Sequence, residues 1–553
     1  MASAASNSNV APYNSLSCGR KQHPAVHPTP SMIPPNKAQV LVVGGGPAGS
    51  YAPTALVREG HEVILLEADK FPRYHVGESL LPSMRNYLDF IGAAEEFANY
   101  GFVVKPGAAF QLVHGVPNTW VDFGAAHGPL FKTWNVIRSE MDDLLLKHAA
   151  KQGVAVFQET RVNNLEFTGD PASSRPIAAN WTNKLGDTGN IKFDWLVDAS
   201  GRTGMMSTKY LKNRHVRESL RNIAVWGYWT GVKRHGVGTP QEGSPWFEAL
   251  TDETGWSWTI PLHDGTTSIG FVMHQKHSIA KKANKSSLLE HYLDQLQYAP
   301  GVRKLLGEDG KMIGGSVKTA SDYSYYASSY SGDHYRIVGD AANFIDPFFS
   351  SGVHVAVMSG LSAAATICAS IRSDVSEELA QTWHDSKLGI AHTRFLFVVL
   401  GAYQQMQLQE HPILSDVNEE NFDEAFRMFR PVILGLADNS PALTDARITT
   451  MMSHFSHMFD PHIDEAHVNS VRARYGPDLI KMTSSVLGAE KIEELAGDDE
   501  NARRVLKKTD GFKVFGKDLH ATSMERDPIR GYVVNVRRGQ LGLQAAGAPG
   551  AGS

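Results

Sequence analysis

One segment constrains the fold more than any other. The run Gln39-Val40-Leu41-Val42-Val43 leads straight into Gly44-Gly45-Gly46-Pro47-Ala48-Gly49. A nearly continuous apolar run is the pattern of a strand buried on both faces of a parallel sheet. The glycine turn behind it fits G-x-G-x-x-G and predicts a helix reaching about Glu59, then a strand over Glu62 to Leu66. Gly44 permits the tight turn, Gly46 lets backbone approach a pyrophosphate, and Gly49 lets the helix pack on the strand; Gly45 and Ala48 fill the remaining turn positions. The pyrophosphate then rests on the helix N-terminus, where free N–H groups and the dipole favour anions. Glu67 closes the second strand, 18 residues after Gly49, and is placed to accept from ribose hydroxyls. Pro53 falls inside this helix, removes a hydrogen bond and should kink it.

The dinucleotide is narrowed by a second element. Arg336-Ile337-Val338-Gly339-Asp340 reads as a strand ending in Gly-Asp, suited to a flavin ribityl or phosphate, and Asp198-Ala199-Ser200-Gly201 ends another strand in a similar way. Arg138, ahead of an amphipathic helix, is either a pyrophosphate partner or an ordinary surface arginine. Together these elements resemble the FAD-binding module of the aromatic hydroxylase superfamily. That resemblance implies an α/β fold: a Rossmann-type FAD-binding domain, a β-rich substrate region and a helical C-terminal cap. No second G-x-G-x-x-G is present for NAD(P)H, so reducing equivalents are expected as free reduced flavin made by another protein.

Three further motifs sharpen the family. Trp256-Ser257-Trp258-Thr259-Ile260-Pro261 reads W-x-W-x-I-P, Phe344 to Gly352 reads F-x-x-P-x-x-S-x-G, and Lys105 lies in Val104-Lys105-Pro106-Gly107. With the run Phe71 to Ser79 (FPRYHVGES) they resemble a flavin-dependent halogenase of the fungal phenol-halogenating branch, which includes enzymes acting on aromatic polyketides such as radicicol and griseofulvin precursors. In that family FADH2, O2 and chloride yield hypochlorous acid, which travels down an internal tunnel to a lysine beside the substrate. The resemblance assigns that lysine to Lys105, whose amine acts as nucleophile when neutral and as donor when charged. The bland alternative is a solvated surface lysine.

By the same resemblance, Trp256, Trp258 and Pro261 line the way between flavin and substrate. The two indoles alternate with Ser257 and so face one side of the strand, a geometry that two core tryptophans would share. Ser351 and Gly352 are matched to the chloride site, at a helix start whose N–H groups form an anion site; Val353 puts its amide near the flavin ring. Glu78 is either an FAD contact or a loop glutamate. Tryptophan halogenases carry a glutamate where this chain has Phe349, which cannot act as a base. That departure argues for an electron-rich phenol, activated by its own oxygen, and against free tryptophan.

Elsewhere the chain narrows the classes further. A net charge of −5 provides no basic surplus for nucleic-acid binding. The longest clean apolar run, Phe395 to Ala402, is too short to span a bilayer, and two cysteines make no disulfide framework; a cytoplasmic enzyme is expected. Residues 1–37, free of acids and poor in apolar residues, read as a disordered tail. Their lack of acids resembles a transit peptide, but Arg20, Lys21 and Lys37 are the sole basic residues and no amphipathic helix is visible. Residues 38–375 form the FAD domain with its interleaved sheet, 376–543 a helical C-terminal domain, and 544–553 a loose end. The histidines at 454, 457, 462 and 467, with Asp464 and Glu465, match no metal-ligand spacing, so no metal is expected. Ser278-Ile279-Ala280-Lys281 fits S-x-x-K without its companion motifs and reads as chance. Met406, Phe422, Met428, Phe429, Met451, Met452, Phe455 and Met458 read as core of the cap, some of them facing an apolar substrate. The nearest rival is a single-component aromatic hydroxylase using NAD(P)H directly, which would not need Lys105 or W-x-W-x-I-P; a silent flavin-binding protein is the other.

Overall fold

The computed structural model describes residues 33–115, 118–124, 132–321, 324–407, 463, 465–481, 484–516 and 528–547. Its nucleotide half is a parallel sheet. The strands Tyr335–Ile337, Thr188–Asp198, Lys37–Val43, Val63–Leu66 and Ala155–Phe157 lie side by side in that order. Val40, Leu41 and Val42 are fully buried at its centre, as an apolar run covered on both faces requires. From the central strand the chain steps first to one neighbour, Val63–Leu66, and later to the other, Thr188–Asp198. This reversal creates a crevice at the carboxyl ends of the strands, where ligands of open α/β sheets bind.

The helix Pro47–Arg58 follows the glycine turn and runs unbroken through the buried Pro53, so the expected kink does not end it. Against it packs the helix Ser351–Ile371, which in turn carries the long helix Glu377–Gln407. The segment Gly352–Ile371 is apolar and long enough to cross a membrane, yet 94% of it is buried inside the protein. Core burial explains its composition. Gly360 allows the close approach, because a Cβ there would stand 3.1 Å from the carbonyl oxygen of Ala48.

A second sheet forms the β-rich region, with Asn222–Thr230, Thr267–His274, Gly255–Pro261, Trp246–Ala249, Gly107–Gln111 and Thr119–Asp122 in sequence across it. Its neighbours are antiparallel except Trp246–Ala249 against Gly107–Gln111. The expected hairpin closes at His263-Asp264-Gly265, where Gly265 takes φ +83°.

The C-terminal part departs from a purely helical cap. Glu465–Tyr475, Ala489–Ala496 and Glu500–Gly516 share a small core of their own around Val471, Ile492, Val505 and Leu506. Beyond it, however, the hairpin Tyr532–Asn535/Gly542–Ala545 returns to the nucleotide half. Glu59 accepts from the N–H groups of Gly539 and Leu541 there. Gln544 and Ala545, expected in the loose end, belong to that second strand. Of the cap residues expected as core, Met406 is buried, and the other seven lie outside the described residues, as do His454, His457, His462 and Asp464.

Candidate functional site

The crevice widens into a cavity of about 730 Å³, inside the range of small-molecule and cofactor sites. At its floor the glycine turn divides its labour. Gly44 takes φ +102°, and a Cβ there would stand 2.3 Å from the carbonyl oxygen of Ala199; one on Gly49 would stand 1.9 Å from that of Gly44. These two glycines are packing requirements. Gly46 is different: a Cβ on it would meet only a guanidinium nitrogen of Arg73, at 3.5 Å, and would project into a space a ligand can fill. Gly44, Gly46, Pro47 and Ala48 all line the cavity. Helix N-terminal amides, an open glycine and a nearby guanidinium are the donor set that a pyrophosphate needs.

The walls fit the rest of FAD. Glu67 reaches the cavity, but one carboxylate oxygen accepts from the N–H of Gly45 at 2.5 Å and the other from Asp69 at 2.7 Å, so it braces the turn as well as facing a ribose. Asp340 also lines the cavity, and burial pushes its carboxyl up to about 6 against the pull of Arg138, Arg202 and Arg214. Glu78 is buried, not a surface loop residue. Tyr228 donates to its Oε1 at 2.5 Å, Ser268 also hydrogen-bonds the carboxylate, and the residue lines the cavity. A carboxylate carries more acceptor positions than these two hydroxyls use, so a buried one on the wall suits a donor from a bound cofactor.

Arg138 is buried too, which excludes the surface reading. Its guanidinium forms a two-pronged pair with Asp142 (2.9 and 3.1 Å) and donates to the carbonyl of Val76 at 2.7 Å. It lines the cavity and also holds the segment Val76–Gly77 in place. Arg73, 3.2 Å from the same Asp142 and beside Gly46, is a second cation on the cavity wall. Sequence reading passed over Arg73, although it sits in the FPRYHVGES run.

The far end is aromatic. Trp256 and Trp258 do face one side, with ring centroids 5.8 Å apart, and both line the cavity. Trp258 lies across Gly270 of the neighbouring strand, where a Cβ would stand 2.2 Å from the indole. Trp256 donates to Tyr403 at 2.7 Å; Tyr403 donates to Asp346 at 2.8 Å, and Asn222 donates to both. Burial lifts the Asp346 carboxyl to about 6. Asp346 belongs to the F-x-x-P-x-x-S-x-G run, but its partners come from distant segments. Ile260 reaches the cavity, whereas Pro261 ends the strand buried and off the cavity wall. At the start of the helix Ser351–Ile371, Ser350, Gly352 and Val353 line the cavity; the Ser351 side chain is buried and does not.

Lys105 is 1% exposed, on the short strand Val103–Lys105 paired with Thr133–Asn135. Its Nζ donates to Ser79 Oγ at 2.7 Å and to the carbonyl of Leu80 at 2.8 Å, and lies 5.2 Å from the ring of Phe123. Burial lowers its pKa to about 7. Ser350, held at φ +57°, donates to Ser79 at 2.9 Å. Ser79 and Ser350 both line the cavity and Lys105 does not, so the two hydroxyls stand between flavin site and amine. Phe349 is buried against Phe348 and Phe110. Neither serine had been singled out as a partner of the lysine: they lie 271 residues apart in the chain.

The comparisons agree with this geometry. A family model for the FAD binding domain matches residues 37–394. A flavin-dependent halogenase of Armillaria mellea, armH5, is 52% identical across 94% of this chain and all of its own. The sulochrin halogenase gedL of Aspergillus terreus is 46% identical over 93% of this chain and 94% of its own. Among solved structures, the flavin-dependent halogenase CmlS superposes with a TM-score of 0.64 at 27% identity, covering 82% of this chain and 79% of its own. The chondrochloren halogenase CndH gives 0.62 at 26% identity, covering 76% and 96%.

Proposed function

Since this chain belongs to the flavin-dependent halogenases, we propose that it chlorinates an electron-rich phenol of the polyketide type, with Lys105 presenting the oxidised chlorine to the ring and a separate reductase supplying FADH2. Bound and reduced FAD supplies, with O2, the conversion of chloride to hypochlorous acid. The chain's own residues do the rest. The Pro47 helix start, Gly46 and Arg73 receive the pyrophosphate, while Glu67, Glu78 and Asp340 supply acceptors along the cavity. Ser351, Gly352 and Val353 present backbone N–H groups for the halide. Trp256 and Trp258 exclude bulky organic molecules from the flavin side.

The observation that carries the reading is the environment of Lys105. An amine with a pKa of about 7 is partly neutral at physiological pH and can attack chlorine as a nucleophile; its charged fraction can donate a hydrogen bond instead. Ser79 and Leu80 fix its direction. A relative of 46% identity is named a sulochrin halogenase, and Phe349 leaves no carboxylate at the position where free tryptophan would need one.

The test incubates the FAD-loaded protein with chloride and a panel of phenolic polyketides, with and without an NADH-driven flavin reductase. Chlorinated product that requires the reductase is expected. Oxygenated product formed from NAD(P)H alone would identify a single-component hydroxylase.

A further inference from the structure

Behind the cavity wall lies a second polar cluster with no part in this chemistry. The strands Arg214–Val216, Tyr325–Ala327 and Asn343–Phe344 form a small sheet, against which the helix Glu377–Gln407 packs through His392. Arg217, just past the first strand, lays its guanidinium 4.6 Å over the ring of Tyr326. His392 meets the same ring at 6.0 Å, and Asn343 is its cross-strand partner. Ser324, two residues before Tyr326, accepts from the Arg217 N–H through its carbonyl at 2.9 Å. Four chain segments thus converge on one tyrosine.

What sets the cluster apart is how little of it is satisfied. Arg217, Ser324, Asn343 and His392 are each at least nine-tenths buried. Yet among the described residues Arg217 Nε and Nη2, Ser324 Oγ and both ring nitrogens of His392 have no hydrogen-bond partner, and the Asn343 amide meets only the hydroxyl of Tyr330. No carboxylate among the described residues pairs with Arg217, whereas the other deeply buried arginines, Arg138 and Arg336, each hold one. Buried polar groups are almost always bonded, and a buried charge without a counter-charge is strongly disfavoured. Several donors and a guanidinium that no described carboxylate neutralises call for a small anion. Burial and the nearby Arg217 keep His392 neutral, so its ring still brings one N–H.

We propose that Arg217, Ser324, Asn343 and His392 form a second halide site, distinct from the one at Ser351 and Gly352, in which a bound halide neutralises Arg217 and seats the helix Glu377–Gln407 on the three-stranded sheet. Its position supports a structural role: Asn343 adjoins Phe344, which lines the cavity, and the seated helix carries Tyr403, the partner of Trp256. A monovalent halide suits one guanidinium and a ring of neutral donors; a larger oxyanion would demand more room and more charge.

Two measurements test the site. Crystals of the holoenzyme grown with bromide in place of chloride should show an anomalous peak among Arg217, Asn343 and His392. A water molecule or a carboxylate of this chain in that place would overturn the proposal. In solution, replacing sodium gluconate by sodium bromide at constant ionic strength should raise the holoenzyme's Tm by several degrees, and Arg217→Met should abolish at least two-thirds of that rise. An equal rise in the variant, or none in the parent protein, also overturns it. The crystallographic arm needs no variant, so a poorly folding substitution does not blunt the test.

Discussion

Lys105 Nζ lies 2.7 Å from the hydroxyl of Ser79, and that hydroxyl is the point where the flavin cavity and the buried amine meet. Ser79 accepts from Ser350 on the other side, so two serine hydroxyls and one amine form a continuous polar thread through an otherwise aromatic wall. Chemistry at the lysine depends on that thread in three ways: direction of the amine, its proton affinity and its access to oxidant.

Lys105→Ala should lower chlorination by at least about 100-fold, the scale of losing a positioned proton or nucleophile group, with bound FAD unchanged by absorbance. Lys105→Arg should not rescue activity, because a guanidinium stays charged and cannot attack chlorine. Normal turnover in Lys105→Ala would remove the residue from the reaction.

Ser79→Ala takes away one of the two acceptors holding the Lys105 amine. A hydrogen bond to a charged group is worth about 1.5–3 kcal/mol, so turnover should fall roughly 10- to 100-fold while FAD affinity holds. Losing an acceptor disfavours the ammonium form, so any limb of the pH–rate profile set by Lys105 should move to lower pH. An unmoved profile would separate Ser79 from the amine.

The depressed pKa of Lys105 has a stability signature. Its ordinary value is 10.5 and its folded value about 7, so between these pH values the unfolded chain binds more protons than the folded one. Stability from this group therefore rises as pH rises from about 7 to 10.5. Lys105→Met should stabilise the protein by a few kcal/mol, about 3 to 5, below neutral pH, with the gain vanishing near the upper limit. Urea unfolding across that range checks the slope.

The glycines of the turn should separate cleanly. Gly46→Ala has space for its methyl but narrows the approach of a pyrophosphate. It should fold with an unaltered apoprotein Tm and lose at least about tenfold in FAD affinity, or 1.4 kcal/mol. Gly49→Ala drives a methyl into the backbone of Gly44 and should fail to accumulate as folded protein.

Gly270→Ala places a methyl 2.2 Å from the Trp258 indole and must displace it. Overpacking of this kind costs about 1–3 kcal/mol, and the moved indole should weaken FAD retention as well. Trp258 fluorescence and flavin content together report the outcome; a variant identical to its parent in both would show that the indole has freedom to move.

The nucleotide half was largely legible before any coordinates. A buried parallel strand, a glycine turn and a terminal acid are specified by residues within some thirty positions of one another, and Gly44 and Gly49 pack as their spacing requires. Strand alternation also placed Trp256 and Trp258 on one face. Arg138 was harder, because an arginine is read as a ligand, a brace or a surface group according to its surroundings, and only the folded chain buries it on the cavity wall beside Asp142. The close of the chain was misread for a similar reason. Gly-rich composition suggested a loose end from Gln544, but Gln544 and Ala545 pair with Val533 and Tyr532 on a strand nine or more residues back.

Motif spacing pointed to Lys105 without revealing its state. Its proton affinity depends on water excluded by Phe123, Ser79, Leu80 and the strands around them, and its link to the cavity depends on Ser350 meeting Ser79 across 271 residues of chain. Covalent order dictates turns, strands and the face a side chain takes, since those obey distances of a few residues. Desolvation and hydrogen-bond partnership come into being when remote segments pack, and for that reason the reactivity of this amine belongs to the folded molecule.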